Sequence, residues 1–235
     1  MLTLVKDLPI IKLENLSKSF NQVKALDQLS VEIMPGHIIG LLGENGCGKT
    51  TLLKILAGLY RDYEGSVKIL GERPSHLTKA EVAYLPDKNS FGQDQSPEEM
   101  MSLYDMYFDN FNRDKCERLL AEMGLDAEKP FREMSKGMID KVQLAFVLAR
   151  DAKVYLLDEP LGGVDSKARE VVLNTILDNF DFHGVMIIVT HFIDEMERLF
   201  DMVMVMKQGR LLTYASCDAL PDSDCKSLEE IVRGL

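Results

Sequence analysis

With 235 residues, a formal net charge of −11 and 46 % hydrophobic residues, the chain has the length and composition of one soluble globular unit with a sizeable core. The acidic balance argues against a nucleic-acid-binding surface, which would need a basic stripe. No apolar run approaches the length of a membrane span, so any work at a membrane would need another polypeptide to cross it.

Taken in order, residues 11–16 alternate apolar and polar side chains and predict a half-buried strand; residues 29–33 do the same and end at the Pro35-Gly36 turn. Between them lies Phe20, open to two readings: a core aromatic, or a ring that stacks on an adenine base. The apolar run 38–42 predicts a buried strand, and residues 51–57 predict a helix. The stretch that joins them is Gly43-Glu44-Asn45-Gly46-Cys47-Gly48-Lys49-Thr50, which fits G-x-x-x-x-G-K-[ST]. Its glycines let the backbone wrap closely around phosphates, and its amides, with those of Thr51 and the helix start, face an anion. Lys49 can reach β- and γ-phosphate oxygens, and the Thr50 hydroxyl can ligate Mg²⁺.

Residues 67–71 predict a strand, as do residues 82–87, which stop at Pro86. Residues 88–133 are polar, acidic and Met-rich, with helical spacing over 97–108 and 113–123. Ser96 and Pro97 mark the first helix start, and Gly124 the second helix stop. Met100, Met101 and Met106 pack the insert or line a partner groove. Ser135, ahead of Lys136 and Gly137, is placed to cap a long apolar helix.

The strand at 153–160 carries Asp158 and Glu159 at its end. With a phosphate loop elsewhere, Asp158 is the expected second metal contact and Glu159 stands where an attacking water is polarised. Residues 161–165 read as a flexible loop and 166–180 as a helix. Residues 185–191 predict a buried strand ending in His191, a structural histidine or a γ-phosphate contact at a sheet edge. A helix over 194–199, strands at 203–205 and 210–214 around Gln208-Gly209, and a helix over 227–235 complete the chain. Cys47, Cys116, Cys217 and Cys225 have no metal-ligand spacing and no leader ahead of them, which predicts reduced cytosolic thiols.

These residues together resemble the nucleotide-binding subunit of an ABC transporter along nearly the whole chain. Residues 43–50 match the Walker A loop, 154–158 Walker B, Glu159 the catalytic glutamate, 162–165 the D-loop and His191 the switch histidine. Ser135, Lys136 and Gly137 sit where the family signature Leu-Ser-Gly-Gly-Gln lies, and Phe20 falls at the aromatic A-loop position. The resemblance implies an α/β fold: a P-loop NTPase core with a mostly parallel sheet, an N-terminal antiparallel β subdomain and a helical signature subdomain. The whole of 1–235 would be one ABC ATP-binding domain, with the helical part over about 88–150.

It also implies MgATP hydrolysis in a head-to-tail homodimer, each ATP touching Lys49 of one copy and Ser135 of the other. A separate integral membrane subunit would be driven from the cytoplasmic face of the membrane. Three positions depart from the family. Asp87 stands where a glutamine normally touches Mg²⁺ and couples to the membrane subunit; Asp can still ligate the metal but adds negative charge. Lys136 replaces a glycine and can add a phosphate contact, and Met138 replaces a glutamine. The Ser-Lys-Gly-Met form resembles small, separately encoded bacterial subunits. The alternatives are a soluble ABC ATPase of translation or DNA repair, which usually carries two ATPase units or a long insert, and a regulatory nucleotide binder. No Asn-Lys-x-Asp guanine-reading sequence is present.

Overall fold

Alternating apolar residues build an antiparallel hairpin from β1 (Ile11–Phe20) and β2 (Val23–Ile33) in the computed structural model, which describes residues 8–89, 91–220, 228 and 230. Both strands are longer than the sequence pattern predicts. Asn15 and Gln28 take positive φ of 50° and 52°, and the register slips around them, so the alternation changes phase where the strands continue. The buried run β3 (His37–Leu42) leads into α1 (Lys49–Leu56). Strand β4 (Glu64–Ile69) then pairs with the outer side of β1 and completes a three-stranded sheet. Leu70 and Gly71, predicted as strand, both have positive φ and form a turn instead.

A short helix, α2 (His76–Ala80), precedes β5 (Val82–Leu85), which ends two residues earlier than predicted, before Pro86. Three helices follow: α3 (Pro97–Tyr107), α4 (Arg113–Glu122) and α5 (Lys136–Leu148). The chain continues through β6 (Val154–Asp158), α6 (Ser166–Asp178), β7 (Val185–Val189), α7 (Ile193–Met196), β8 (Met202–Lys207) and β9 (Arg210–Ser216). The second sheet has the order β5-β6-β7-β3-β8-β9, parallel except for β9.

Because side chains alternate across a strand, this sheet feeds two cores. Ile39, Leu41, Leu156 and Ile187 join α1 and the three-stranded sheet on one face. Leu42, Leu157, Ile188 and Met186 join α4, α5 and α6 on the other. Met101 is fully buried in the helical side, whereas Met106 is 72 % exposed, so the insert's methionines divide between packing and surface.

The start signals at Ser96 and Ser135 and the stop signal at Gly124 behave as their chemistry dictates. Ser96 and Glu99 form a reciprocal capping box, the Ser135 hydroxyl accepts from the Met138 amide at 3.2 Å, and Gly124 takes φ 68° after α4. The helix expected over 194–199 is one α-turn followed by a 3₁₀ turn at Glu197–Leu199. Of the terminal helix over 227–235, only Leu228 and Glu230 are among the described residues, both helical. Cys47, Cys116 and Cys217 are free thiols; Cys225 lies outside the described residues. Among the described residues no helix is long and apolar enough to cross a membrane.

Candidate functional site

Three strands deliver their carboxyl ends side by side. Leu41 of β3 and Asp158 of β6 both pair with Val189 of β7, so the segments after Leu42, Asp158 and Val189 emerge together. In a parallel sheet this edge is where ligands bind. A pocket of about 400 Å³ opens there, lined by Asn45, Gly46, Gly48, Lys49, Thr50, Thr51, Asp87, Asp158, Glu159 and His191, with Ala25 and Val189.

The loop over 43–48 is held from behind. A Cβ on Gly43 would lie 2.2 Å from the Met206 carbonyl oxygen, and one on Gly48 would lie 2.3 Å from that of Ala25. Both glycines have positive φ, 142° and 109°. The Gly209 amide donates to the Cys47 carbonyl at 3.0 Å, so the β8–β9 hairpin braces the loop. Lys49 is largely buried, and its ammonium donates to the Gly43 and Glu44 carbonyls at 2.7 and 3.0 Å. Cys47 Sγ is 3.9 Å from the same nitrogen.

Asp158 is 2 % exposed, and its Oδ2 has no hydrogen-bond partner among the described residues. Burial pushes its carboxyl above the usual carboxylate range; the Thr50 hydroxyl pulls it back, and the negative charges of Asp87 and Glu159 push it further up. An orphaned carboxylate oxygen beside a hydroxyl fits a hard cation such as Mg²⁺, which takes one or two protein oxygens and completes its shell with phosphate and water. Among the described residues no three His, Cys, Asp or Glu side chains cluster as a metal cage.

Glu159 follows at φ 58°, in the left-handed region, with its amide bonded to the Val189 carbonyl at 2.9 Å. This geometry turns its carboxylate toward His191, whose Nδ1 lies 2.8 Å from Glu159 Oε2; the His191 amide donates to the same oxygen at 3.3 Å. His191 does not end a strand, as the apolar run suggested. The β6–β7 ladder stops at Val189, and the Thr190 hydroxyl accepts from the Phe192 amide at 3.0 Å, so His191 sits in a turn. The histidine is mostly exposed and packs on the Phe192 ring, 4.0 Å between centroids.

The remaining predicted residues are placed elsewhere. Ser135 and Lys136 are exposed at the start of α5 and, with Gly137, lie outside the pocket lining. Gly137 meets the segment after Glu159: a Cβ there would be 2.4 Å from the Gly163 carbonyl oxygen. That segment is not the flexible loop predicted, because Leu161 and Val164 are buried and Asp165 caps α6 by accepting from the Lys167 and Ala168 amides. Phe20 is 40 % exposed, which removes its core reading; it packs edge-on to Tyr60 at 5.4 Å and is not part of the pocket lining. Sequence reading missed Ala25, Met206 and Gly209 as supports of the loop; only the Gln208-Gly209 turn carried a local signal.

Residues 26–162 match the family model described as ABC transporter. An uncharacterised ABC transporter ATP-binding protein of Methanocaldococcus jannaschii is 31 % identical, over 89 % of this chain and 79 % of its own. The manganese transport system ATP-binding protein of Halalkalibacterium halodurans is also 31 % identical, over 88 % of this chain and 86 % of its own. In fold, the chain is similar to an ATP-binding cassette solved as a dimer in a post-hydrolysis state with ADP and phosphate: TM-score 0.78, 21 % identity, 88 % of this chain and 98 % of that one. The chain belongs to the ABC transporter family, as an ATP-binding, ATP-hydrolysing subunit.

Proposed function

We propose that the pocket at the sheet's carboxyl edge binds MgATP and hydrolyses it to ADP and phosphate, to drive a separate membrane-spanning transporter subunit. One observation carries the reading. The glycine loop with Lys49, the orphaned Asp158 oxygen beside Thr50, and the Glu159–His191 pair all line the same pocket.

Each residue has a role that its placement supports. The amides over Gly43, Glu44, Asn45, Gly46, Cys47 and Gly48, with those of Lys49, Thr50 and Thr51, bind phosphate oxygens at the start of α1. The Lys49 ammonium exchanges its carbonyl partners for β- and γ-phosphate oxygens. Thr50 and Asp158 would hold Mg²⁺, with Asp87 in the same lining. Bound there, the cation would offset negative charge on the phosphates. Glu159 polarises the attacking water, and His191, hydrogen-bonded to Glu159, contacts the γ-phosphate. The left-handed backbone at Glu159 stores strain of about 1–3 kcal/mol, which is typical of a residue held in place for chemistry.

Ser135, Lys136 and Gly137 complete the site from a second copy. Ser135 and Lys136 are exposed at a helix N-terminus, and all three stand outside their own chain's pocket, so a head-to-tail homodimer brings them to the partner's phosphate. Phe20, an exposed ring at the end of β1, is assigned to the adenine base. The helices over about 88–150 form the signature subdomain of the one domain over 1–235. The protein works at the cytoplasmic face of the membrane, through a partner that spans it. A soluble ATPase uncoupled from transport is the weaker reading, since the manganese relative is by name part of a transport system.

The test is Glu159→Gln. Turnover should fall by about 10²–10⁴, the usual loss on removing a general base, while ATP affinity persists. The variant should elute as a dimer with MgATP and as a monomer without it. Near-wild-type turnover would remove Glu159 from the catalytic role.

A further inference from the structure

The charge balance of the pocket is unusual for a triphosphate site. Its lining holds three carboxylates, Asp87, Asp158 and Glu159, and one lysine, Lys49. Glu159 is paired with His191, and Lys49 is bonded to the loop's own carbonyls. Asp158 presents a buried oxygen with no partner. Asp87 is exposed in the segment after β5 and makes no hydrogen bond or ion pair among the described residues. Two uncompensated carboxylates therefore border the space that a polyphosphate would fill.

Coulomb repulsion sets the consequence. Metal-free ATP is a polyanion, and every unpaired carboxylate in the lining lowers its affinity. A divalent cation reverses the sign for the same side chains, because a carboxylate near a bound cation is attractive. The discrimination between metal-free and metal-bound nucleotide then scales with the number of free carboxylates. Asp158 supplies one. Asp87 supplies a second from the same pocket lining.

We infer that Asp87 makes this pocket select nucleotide that already carries a divalent cation, by excluding the metal-free polyanion. The inference rests on the proposal that the pocket binds ATP and goes beyond it: it makes Asp87 a specificity residue for the charge state of the ligand. The residue's freedom from other contacts makes it removable. Among the described residues no hydrogen bond or ion pair of the fold uses its carboxylate, so a substitution reads out its field on the ligand and on the neighbouring acids.

The experiment is calorimetric titration of the purified chain with ATP, once in excess Mg²⁺ and once in EDTA. The wild type should show a large ratio between the two affinities. Asp87→Asn should raise the affinity for metal-free ATP by about tenfold, on the order of one screened unit charge about 10 Å from another at a surface-like dielectric. Affinity for MgATP should stay level or fall, so the ratio collapses from one side. Asp87→Glu, which keeps the charge, should keep the wild-type ratio, and Asp178→Asn, an exposed acid on α6 outside the pocket, should not alter it. The inference is overturned if Asp87→Asn leaves metal-free affinity unchanged, if both affinities rise equally, or if Asp178→Asn has the same effect. Failure of the wild type to bind MgATP at all would be a different result, since it removes the ATP-binding proposal itself.

Discussion

Replacing Asp158 by Asn should make the ligand-free protein more stable while it removes the response to Mg²⁺. The wild-type carboxylate is 2 % exposed and one oxygen has no partner, a group that typically costs about 1–3 kcal/mol to bury. Burial raises its pKa relative to the unfolded chain, with Thr50 opposing and Asp87 and Glu159 adding. For an acid whose folded pKa is raised, the favourable protonated state is fully present below the unfolded pKa and is lost as pH rises through the folded one. Above its folded pKa the wild type bears the full destabilisation, and a neutral amide removes most of it. For a domain of this size each kcal/mol moves the melting temperature by about 2–4 °C, so the variant should melt about 2–8 °C higher in EDTA. The gap should narrow as pH falls and the wild-type carboxyl takes up its proton. The measurement is the variant-minus-wild-type melting temperature across pH 4–8, which cancels groups that titrate in both. Added MgATP, near one hundred times its dissociation constant, should stabilise the wild type by about 2.7 kcal/mol and the variant much less. A variant that melts below the wild type at pH 8 in EDTA would refute the reasoning, because Asp158 would then have a stabilising partner in the folded chain.

Lys49→Ala should abolish ATP binding in a folded protein, since the one lysine in the pocket lining is lost; unchanged affinity by calorimetry would contradict that. Gly48→Ala should destabilise by about 3 kcal/mol, combining positive-φ strain with a clash against a backbone oxygen. Gly46→Ala, whose added Cβ meets nothing within 4 Å, should lose only about 1 kcal/mol, and equal chemical-denaturation midpoints for the two would overturn the packing argument. A bulky maleimide on Cys47 should block ATP binding, because its sulfur lies inside the loop beside Lys49; MgATP should slow the labelling, and equal rates with and without it would count against this placement.

Local chemistry made much of this legible in the sequence. Residues 43–50 name themselves because three glycines, a lysine and a threonine at fixed spacing have few other uses. Asp158 and Glu159 are marked by the apolar strand that runs straight into them. Ser96 and Ser135 cap helices, as hydroxyls ahead of helical spacing do. What the sequence hid is long-range or conformational. The bulge at Asn15 reverses which side chains of β1 face inward, so an alternation count stops short. The contacts of Ala25 and Met206 on the loop span more than 20 and 150 residues of chain and have no local sign. Helix α2 was overlooked although Ser75 and Thr78 form a capping box; five residues are too few for a periodic pattern. The left-handed φ of Glu159 follows from the ladder bond to Val189 and from the turn that Leu161 anchors, neither of which a motif encodes.

That backbone conformation also ties the two ends of the proposed composite site within one copy. From the start of α5, Gly137 abuts the Gly163 carbonyl so closely that even a methyl group would not fit. Gly163 in turn sits against Asp140, where a Cβ would be 1.9 Å from a carboxylate oxygen. One residue back, the Gly162 amide donates to the Glu159 carbonyl at 3.0 Å, and Glu159 holds His191. The path from the exposed helix start to the Glu159 carboxylate is therefore a run of direct contacts in which two glycines leave no slack. Close-packed elements of this kind shift together rather than deform. A second copy that lays a phosphate against Ser135 presses on the same helix end that fixes the segment behind Glu159. In the proposed two-fold dimer each copy would both offer a helix end and own a carboxylate, so each nucleotide would be positioned to sense whether the other copy is seated. This gives Gly137 and Gly163 a reason to be glycine that neither backbone angle supplies, since neither has a positive φ.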